Sequence, residues 1–165
     1  MIIYEEIFRA FQKLKVKYVL VGGIAVNLLG CMRNTADLDV LVEMSDANLK
    51  KIMGILKNLD YHVKQPIDPM KILDKKTRED LIEKKHMKAL NFYKERELKE
   101  IDIIIESPIP YKDAKKDVIY IKVDDLRLPV ISIDNLIRMK QKTGRAVDKL
   151  DIAELTKIKK FKKDL

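Results

Sequence analysis

Tyr18-Val-Leu-Val-Gly-Gly-Ile-Ala-Val-Asn-Leu-Leu-Gly-Cys-Met-Arg-Asn-Thr-Ala-Asp-Leu-Asp-Val-Leu-Val42 is the stretch on which the reading of this chain turns. A β-rich run, Tyr18–Val21, stops at Gly22-Gly23 and gives way to a short apolar segment closed by Gly30, the pattern of strand, tight turn and short helix. Leu38–Val42 reads as the next strand. Residues two apart on a strand share a face, so Asp37 and Asp39 are expected side by side while Leu38 and Val40 turn to the core. Two carboxylates so close repel unless a cation lies between them. Asp-x-Asp alone is weak evidence, since a chain this rich in aspartate holds about one or two such pairs by chance.

Its surroundings make it stronger. Residues without Cβ at positions 22 and 23 let a phosphate approach the backbone, and a helix start offers free N–H groups and a positive dipole end. A glycine turn with no ligand is the plainer reading of that pair taken alone. Further on, Asp102 interrupts the otherwise apolar run Ile101–Ile105. A charge inside such a run needs a partner or a metal, or else a water-exposed place at a strand edge.

Working outward, Ile3, Ile7, Phe11 and Leu14 are spaced as one stripe of an amphipathic helix. Ser45 and Asp46 offer N-caps to a helix with Leu49, Ile52, Met53, Leu56 and Leu59 on its apolar face. Residues 66–88 are charged and interrupted by Pro66 and Pro69, which marks the most variable or mobile region, with a helical stretch near Arg78–Lys85. Ala89–Tyr93 pairs with Ile101–Ile105, and Val118–Val123 with Leu126–Ile131 around Asp124-Asp125, as two hairpins. Two helices, Asp134–Lys142 and Val147–Lys160, end the chain on either side of Gly144, and the tail Lys157–Lys163 is expected to fray.

The 165 residues, 47% of them apolar, are enough for one domain with its own core, residues 1–165. No window approaches 18 consecutive apolar residues and the N-terminus lacks the features of a signal peptide, so a soluble cytoplasmic protein with no membrane segment is expected. The single Cys31 with only His62 and His86 leaves too few soft ligands for a structural zinc site, so any metal is hard and oxygen-bound. Cys31, Met32 and the other methionines are assigned to packing, and the two histidines to surface or strand positions. The net charge of +8 draws polyanions such as nucleotides or RNA, although most of the lysines read as solvated surface.

The Gly-Gly turn, short helix, Arg33-x-Thr35, Asp37-x-Asp39 and the later Asp102 together resemble the nucleotidyltransferase superfamily related to DNA polymerase beta. The resemblance is to its minimal bacterial and archaeal members, among them lincosamide-type antibiotic transferases and the nucleotidyltransferase toxins of type IV toxin–antitoxin systems. It reappears at residues 136–152, with Lys140, Gly144-Arg145 and Asp148. The resemblance implies an α/β (α+β) fold, a mixed β-sheet flanked by helices. It also implies Gly22 and Gly23 at the nucleotide phosphates, and Asp37, Asp39 and Asp102 as catalytic residues holding Mg2+ or Mn2+. Many members carry Ser where this chain has Gly23, which removes one phosphate contact.

Two divalent ions suit an in-line displacement at an α-phosphate, and magnesium prefers carboxylate and phosphate oxygens. In the family's scheme Asp37 and Asp39 bridge the metals, and Asp102 serves the ion that activates the acceptor hydroxyl. Arg33 either reaches the acceptor or a phosphate, or forms a salt bridge within its loop; Thr35 either meets the nucleotide or caps the turn. Lys140 is expected at the triphosphate, and Arg145 near the nucleotide, where it pairs with Asp148. The leading expectation is transfer of a nucleoside monophosphate from an NTP to a hydroxyl on RNA, protein or a small molecule. A non-catalytic member binding nucleotide, RNA or protein, or a component with an antitoxin-like partner, is the alternative. The presence of all three carboxylates favours the enzyme.

Overall fold

The computed structural model describes residues 2–164. Helix α1 (Glu5–Lys13) leads into β1 (Tyr18–Val21), which turns at once into α2 (Gly22–Leu28). Strand β2 (Leu38–Val42), α3 (Asp46–Asn58) and the two-residue β3 (His62–Val63) follow. A 3-10 turn, Pro69–Leu73, and α4 (Lys75–Glu83) precede the hairpin of β4 (Ala89–Lys94) and β5 (Lys99–Ile104). Helix α5 (Tyr111–Ala114), the hairpin of β6 (Ile119–Val123) and β7 (Leu126–Val130), and helices α6 (Ile133–Thr143) and α7 (Ala146–Lys163) complete the chain.

The strands form one mixed sheet in the order β3-β4-β5-β2-β1-β7-β6. Strands β1 and β2 are antiparallel, β2 and β5 parallel, and β1 and β7 parallel, with antiparallel hairpins outside them. This is an α/β architecture with two helices at its C-terminal end. Leu38, Val40, Ile101, Ile103, Leu90 and Phe92 alternate along their strands and are buried. They share a core with Ile7, Phe8 and Phe11 of α1 and Leu49, Ile52 and Leu56 of α3. The Phe11 ring meets Tyr18 edge to face at 4.8 Å, which fixes α1 on this side of the sheet. The opposite side of the central strands carries Val21, Asp39 and Asp102, the other phase of the same alternation.

The β1–α2 boundary falls where the glycine pair puts it: Val21 is extended and Gly22 takes φ +68°, a conformation costly for any residue with a side chain. Ser45 caps α3 by accepting from the Asn48 amide, as its position suggests.

Several expectations need correction. The buried stripe of α1 is Tyr4, Ile7, Phe8 and Phe11, whereas Ile3 and Leu14 are about half exposed. The helix begins only at Glu5, since Tyr4 at its N-cap is left-handed (φ +64°), and the Tyr4 side chain takes the inward place expected of Ile3. Residues 66–88 are anchored rather than loose. Arg78 is buried and donates to the carbonyls of Ile72, Leu73 and Met44 and to Asp46, which draws the turn and α4 onto the body of the protein. Met32 is fully exposed: in the irregular segment after Gly30 it is the neighbouring Cys31 whose side chain turns inward. Helix α7 continues through Lys163, where the tail was expected to fray; Lys157 pairs with Glu154 and Lys159 with Asp134.

Candidate active site

Sheet register assembles the site. Asp39 on β2 is paired with Asp102 on β5, with Val21 on β1 on its other side, and Asp102 is paired in turn with Asn91 on β4. Paired residues project to one face, so the two carboxylates stand next to each other on the side of the sheet away from α1. They form the floor of a cleft of about 280 Å³. Its walls come from Gly22, from Lys88 and Glu106 at the entry and exit of the β4–β5 hairpin, and from Lys140, Lys142 and Arg145 at the α6–α7 corner.

Gly22 is required by its neighbour. A Cβ there would fall 2.0 Å from Asp39 Oδ2, so the residue lies directly over the carboxylate. A Cβ on Gly23 would fall 2.6 Å from Thr35 Oγ1. Gly23 therefore faces the segment leading to β2, and Thr35 is held by packing against the glycine turn. Asn27 fixes the same segment through its side-chain amide, donating to the Arg33 carbonyl and accepting from the Arg33 amide.

The electrostatics follow from the pairing. Burial, with the charges of Asp102 and Asp37 behind it, pushes the Asp39 carboxyl up to about 7 against the pull of Lys140, and a hydrogen bond shared with Asp102 adds to this. Asp37 lies one residue before β2 and is exposed. Its carboxyl is raised by partial burial and by Glu100 and Asp102, and Lys64 lowers it. Among the described residues no three acidic, histidine or cysteine side chains are gathered closely enough to hold a metal by themselves. The expected ready-made triad is thus an adjacent pair, Asp39 and Asp102, with Asp37 standing off beside Lys64 and Glu100. Three negative groups drawn together without a cation would repel. The pair still fits magnesium, which is held through one or two carboxylates together with substrate phosphates and water rather than in an all-protein cage. An Asp39 carboxyl that keeps its proton until about pH 7 is the state such a pair adopts when only protons neutralise it.

At the α6–α7 corner the cations are tied into ion pairs. Lys140 is buried, with its ammonium 2.7 Å from Asp151 and 3.5 Å from Asp148. Arg33 pairs with Asp151 at 2.6 Å, so its partner lies on α7, outside its own loop. Arg145 pairs with Asp148 at 2.9 Å and closes a capping box at the start of α7. Burial opposes ionisation of Asp148, yet its hydrogen bonds from Arg145 hold the carboxyl at about 2. Gly144, at φ +62°, makes the reversal that brings the two helices together. The nucleotide contact expected of Lys140 is therefore occupied by two carboxylates, while Arg145 and the exposed Lys88 and Lys142 border the cleft. Nothing in the sequence separates Lys88 and Lys142 from the other lysines.

Tyr4 is a further residue the sequence does not point to. Its hydroxyl donates to the Ala36 carbonyl and accepts from the Glu100 amide, joining the approaches to β2 and β5.

No family model matches the sequence, and no curated protein matches it significantly. Solved structures do resemble it. The lincomycin-bound lincosamide antibiotic adenylyltransferase LnuA is similar over 94% of this chain and 97% of its own, with TM-score 0.63 and 18% identity. The antibiotic-resistance factor ANT(2'')-Ia in solution covers 94% of this chain and 80% of its own, with TM-score 0.57 and 13% identity. Its complex with adenylyl-2''-tobramycin covers 91% and 83%, with TM-score 0.55 and 11% identity. At these identities the likeness is one of architecture: the chain has a minimal nucleotidyltransferase fold.

Proposed function

We propose that this protein is a metal-dependent nucleotidyltransferase, a single domain over residues 1–165, that moves a nucleoside monophosphate from an NTP to a hydroxyl acceptor. The observation that carries the reading is the Asp39–Asp102 pair, set side by side by sheet register on the floor of a cleft with a basic rim. The fold shared with enzymes that adenylylate antibiotics supports it, and favours a small hydroxylated molecule over RNA or protein as acceptor.

Asp39 and Asp102 would hold Mg2+ or Mn2+, with Asp37 as a further oxygen donor. An ion held there would neutralise charge at the α-phosphate and make an acceptor hydroxyl easier to ionise. Gly22, having no side chain, leaves the space above Asp39 open to the nucleotide. Lys88, Lys142 and Arg145 meet the phosphates at the rim, and Arg33, Thr35, Gly23 and Lys140 hold the walls in place. Asp102 would receive the proton of the acceptor hydroxyl on the oxygen turned away from Asn91, and pyrophosphate would leave along the basic rim. NTP supply makes the cytoplasm the expected compartment; no helix among the described residues is long and apolar enough to cross a membrane.

The test is incubation with each α-labelled NTP, Mg2+ or Mn2+, and separate pools of small metabolites, RNA and protein. Transfer of label by the wild type and its loss in both Asp39→Asn and Asp102→Asn is the expected result. Transfer that survives either substitution overturns the assignment of the pair.

A further inference from the structure

Asp102 is held from its far side by an oriented chain of amides. Asn91, its register partner on β4, donates from Nδ2 to Asp102 Oδ1 at 2.6 Å. The Asn91 side-chain oxygen accepts from Gln65 Nε2, while Gln65 Oε1 accepts from the Asn91 backbone N–H at 3.0 Å. Gln65 Nε2 also lies 3.3 Å from the Ala89 carbonyl. An amide side chain presents an acceptor at one end and donors at the other. A backbone N–H can only donate and a backbone carbonyl can only accept, so Gln65 has one allowed orientation. That orientation delivers a donor to Asn91 and turns the Asn91 nitrogen toward the carboxylate. The direction of the chain is set by the backbone of β4 and ends on Asp102.

The edge of the sheet is built to place Gln65. Strand β3 has only two residues, of which His62 is exposed and Val63 half-buried, and adds little to the core. The Lys64 amide nevertheless extends its ladder, donating to the Asn91 carbonyl at 2.7 Å, so Gln65 leaves the strand directly beside Asn91.

We infer that Asn91 and Gln65 are positioning residues for Asp102: together they hold one carboxylate oxygen so that the other faces the cleft. The inference rests on the proposed transfer activity for its meaning, and its geometry stands without it. Neutral donors suit the task. A lysine or arginine at position 91 would fix the carboxylate equally well, but would cancel the negative charge a metal ion needs. Hydrogen-bond partners behind a metal ligand act through orientation, and removing one typically costs about 10–100-fold in metal affinity or activity.

The experiment measures Mn2+ binding to the full-length protein without nucleotide, by water-proton relaxation, alongside steady-state transfer kinetics. Asn91→Leu is expected to weaken Mn2+ binding by about 10–100-fold and to lower kcat in proportion, with the KM for NTP held within about twofold. Gln65→Met shifts both in the same direction by less. The double variant is no worse than Asn91→Leu alone, because Gln65 acts only through Asn91. Wild-type Mn2+ affinity and kcat in folded Asn91→Leu, or additive losses in the double variant, overturn the relay. If Asn91→Leu fails to fold, Gln65→Met at the sheet edge decides, and wild-type behaviour there overturns the relay too. Failure of the underlying reading has a different signature: Asp39→Asn and Asp102→Asn bind Mn2+ as the wild type does.

Discussion

The Lys140 ammonium lies 2.7 Å from Asp151 Oδ2, and the same oxygen takes the Arg33 guanidinium at 2.6 Å. One carboxylate on α7 thus holds a cation from α6 and a cation from the segment between α2 and β2, and Asp148 adds a second negative group at 3.5 Å from Lys140. Lys140, Asp148 and Asp151 are all buried. Removing the central cation takes one partner from each of two buried carboxylates, which keep Arg33 and Arg145, and costs at most the roughly 3–5 kcal/mol of a fully orphaned buried charge. Lys140→Met is therefore expected to lose stability up to that scale in urea unfolding, and Lys160→Met, on the exposed side of α7, to stay within about 0.5 kcal/mol of the wild type. Equal small effects would mean that the cluster is not structural.

This cluster also marks the limit of what the sequence discloses. The bounds of β1 and β2 are legible to the residue, because glycine pairs and strand alternation are local signals, although the glycines expected in a turn before α2 form its first two residues. The Ser45 cap is legible too, and the two C-terminal helices are legible to within one to three residues at their ends. Asp39 and Asp102 are legible as charges in apolar strands, although their adjacency comes only with the parallel pairing of β2 and β5. The pairing of Arg33 with Asp151 spans 118 residues and leaves no periodic trace, and the same is true of Tyr4 with Glu100, 96 residues apart. Gln65 and Asn91 carry no charge that would single them out.

The Asp39 carboxyl gives a pH signature. Raised from 3.8 to about 7 in the folded protein, it makes the native state bind a proton that the unfolded chain has released. Stability of the metal-free protein therefore falls as pH rises from about 4 to about 7, by up to roughly 4 kcal/mol at about 1.4 kcal/mol per pH unit, and levels off above. The lowered Asp148 carboxyl acts in the opposite sense, but only below about pH 4. Asp39→Asn is expected to flatten the window between pH 4 and 7 and to raise metal-free stability at pH 8. Mg2+ with NTP flattens it in the wild type. Denaturant midpoints across pH 4–8 with unchanged slope in Asp39→Asn would refute the account.

The two glycines are expected to respond differently to a methyl group. At Gly22 the new Cβ meets the Asp39 carboxylate in a backbone region that disfavours side chains. Gly22→Ala is expected to cost about 1–3 kcal/mol and to abolish Mn2+ binding by displacing the carboxylate. At Gly23 the three atoms nearest the new Cβ all belong to the Thr35 side chain, and φ is ordinary. Gly23→Ala is therefore expected to be destabilised, and to recover when Thr35→Gly is added. Thermal unfolding of the three variants checks this, and failure of the second substitution to restore stability would exclude Thr35 as the cause.

Tyr4 joins the approaches to the two strands that carry the site, since its hydroxyl bridges the Ala36 carbonyl, next to Asp37, and the Glu100 amide, two residues before Asp102. Burial pushes its phenol up to about 12, so it remains a hydrogen-bond donor throughout the neutral range. Tyr4→Phe keeps the ring in the core and leaves the carbonyl and the amide without their partner, which costs about 1–3 kcal/mol. The loss is expected to be local before it is global. Exchange of the Glu100 amide should speed up by about tenfold or more, as each 1.4 kcal/mol of lost protection implies, while amides in α3 keep the wild-type rate. Transfer activity falls in step, because the end of β5 is then free to shift Asp102 relative to Asp39. Tyr120→Phe, at an exposed site on β6, serves as the control and should change neither quantity. Wild-type exchange at Glu100 in Tyr4→Phe would show that the hydroxyl does not hold the strands in register.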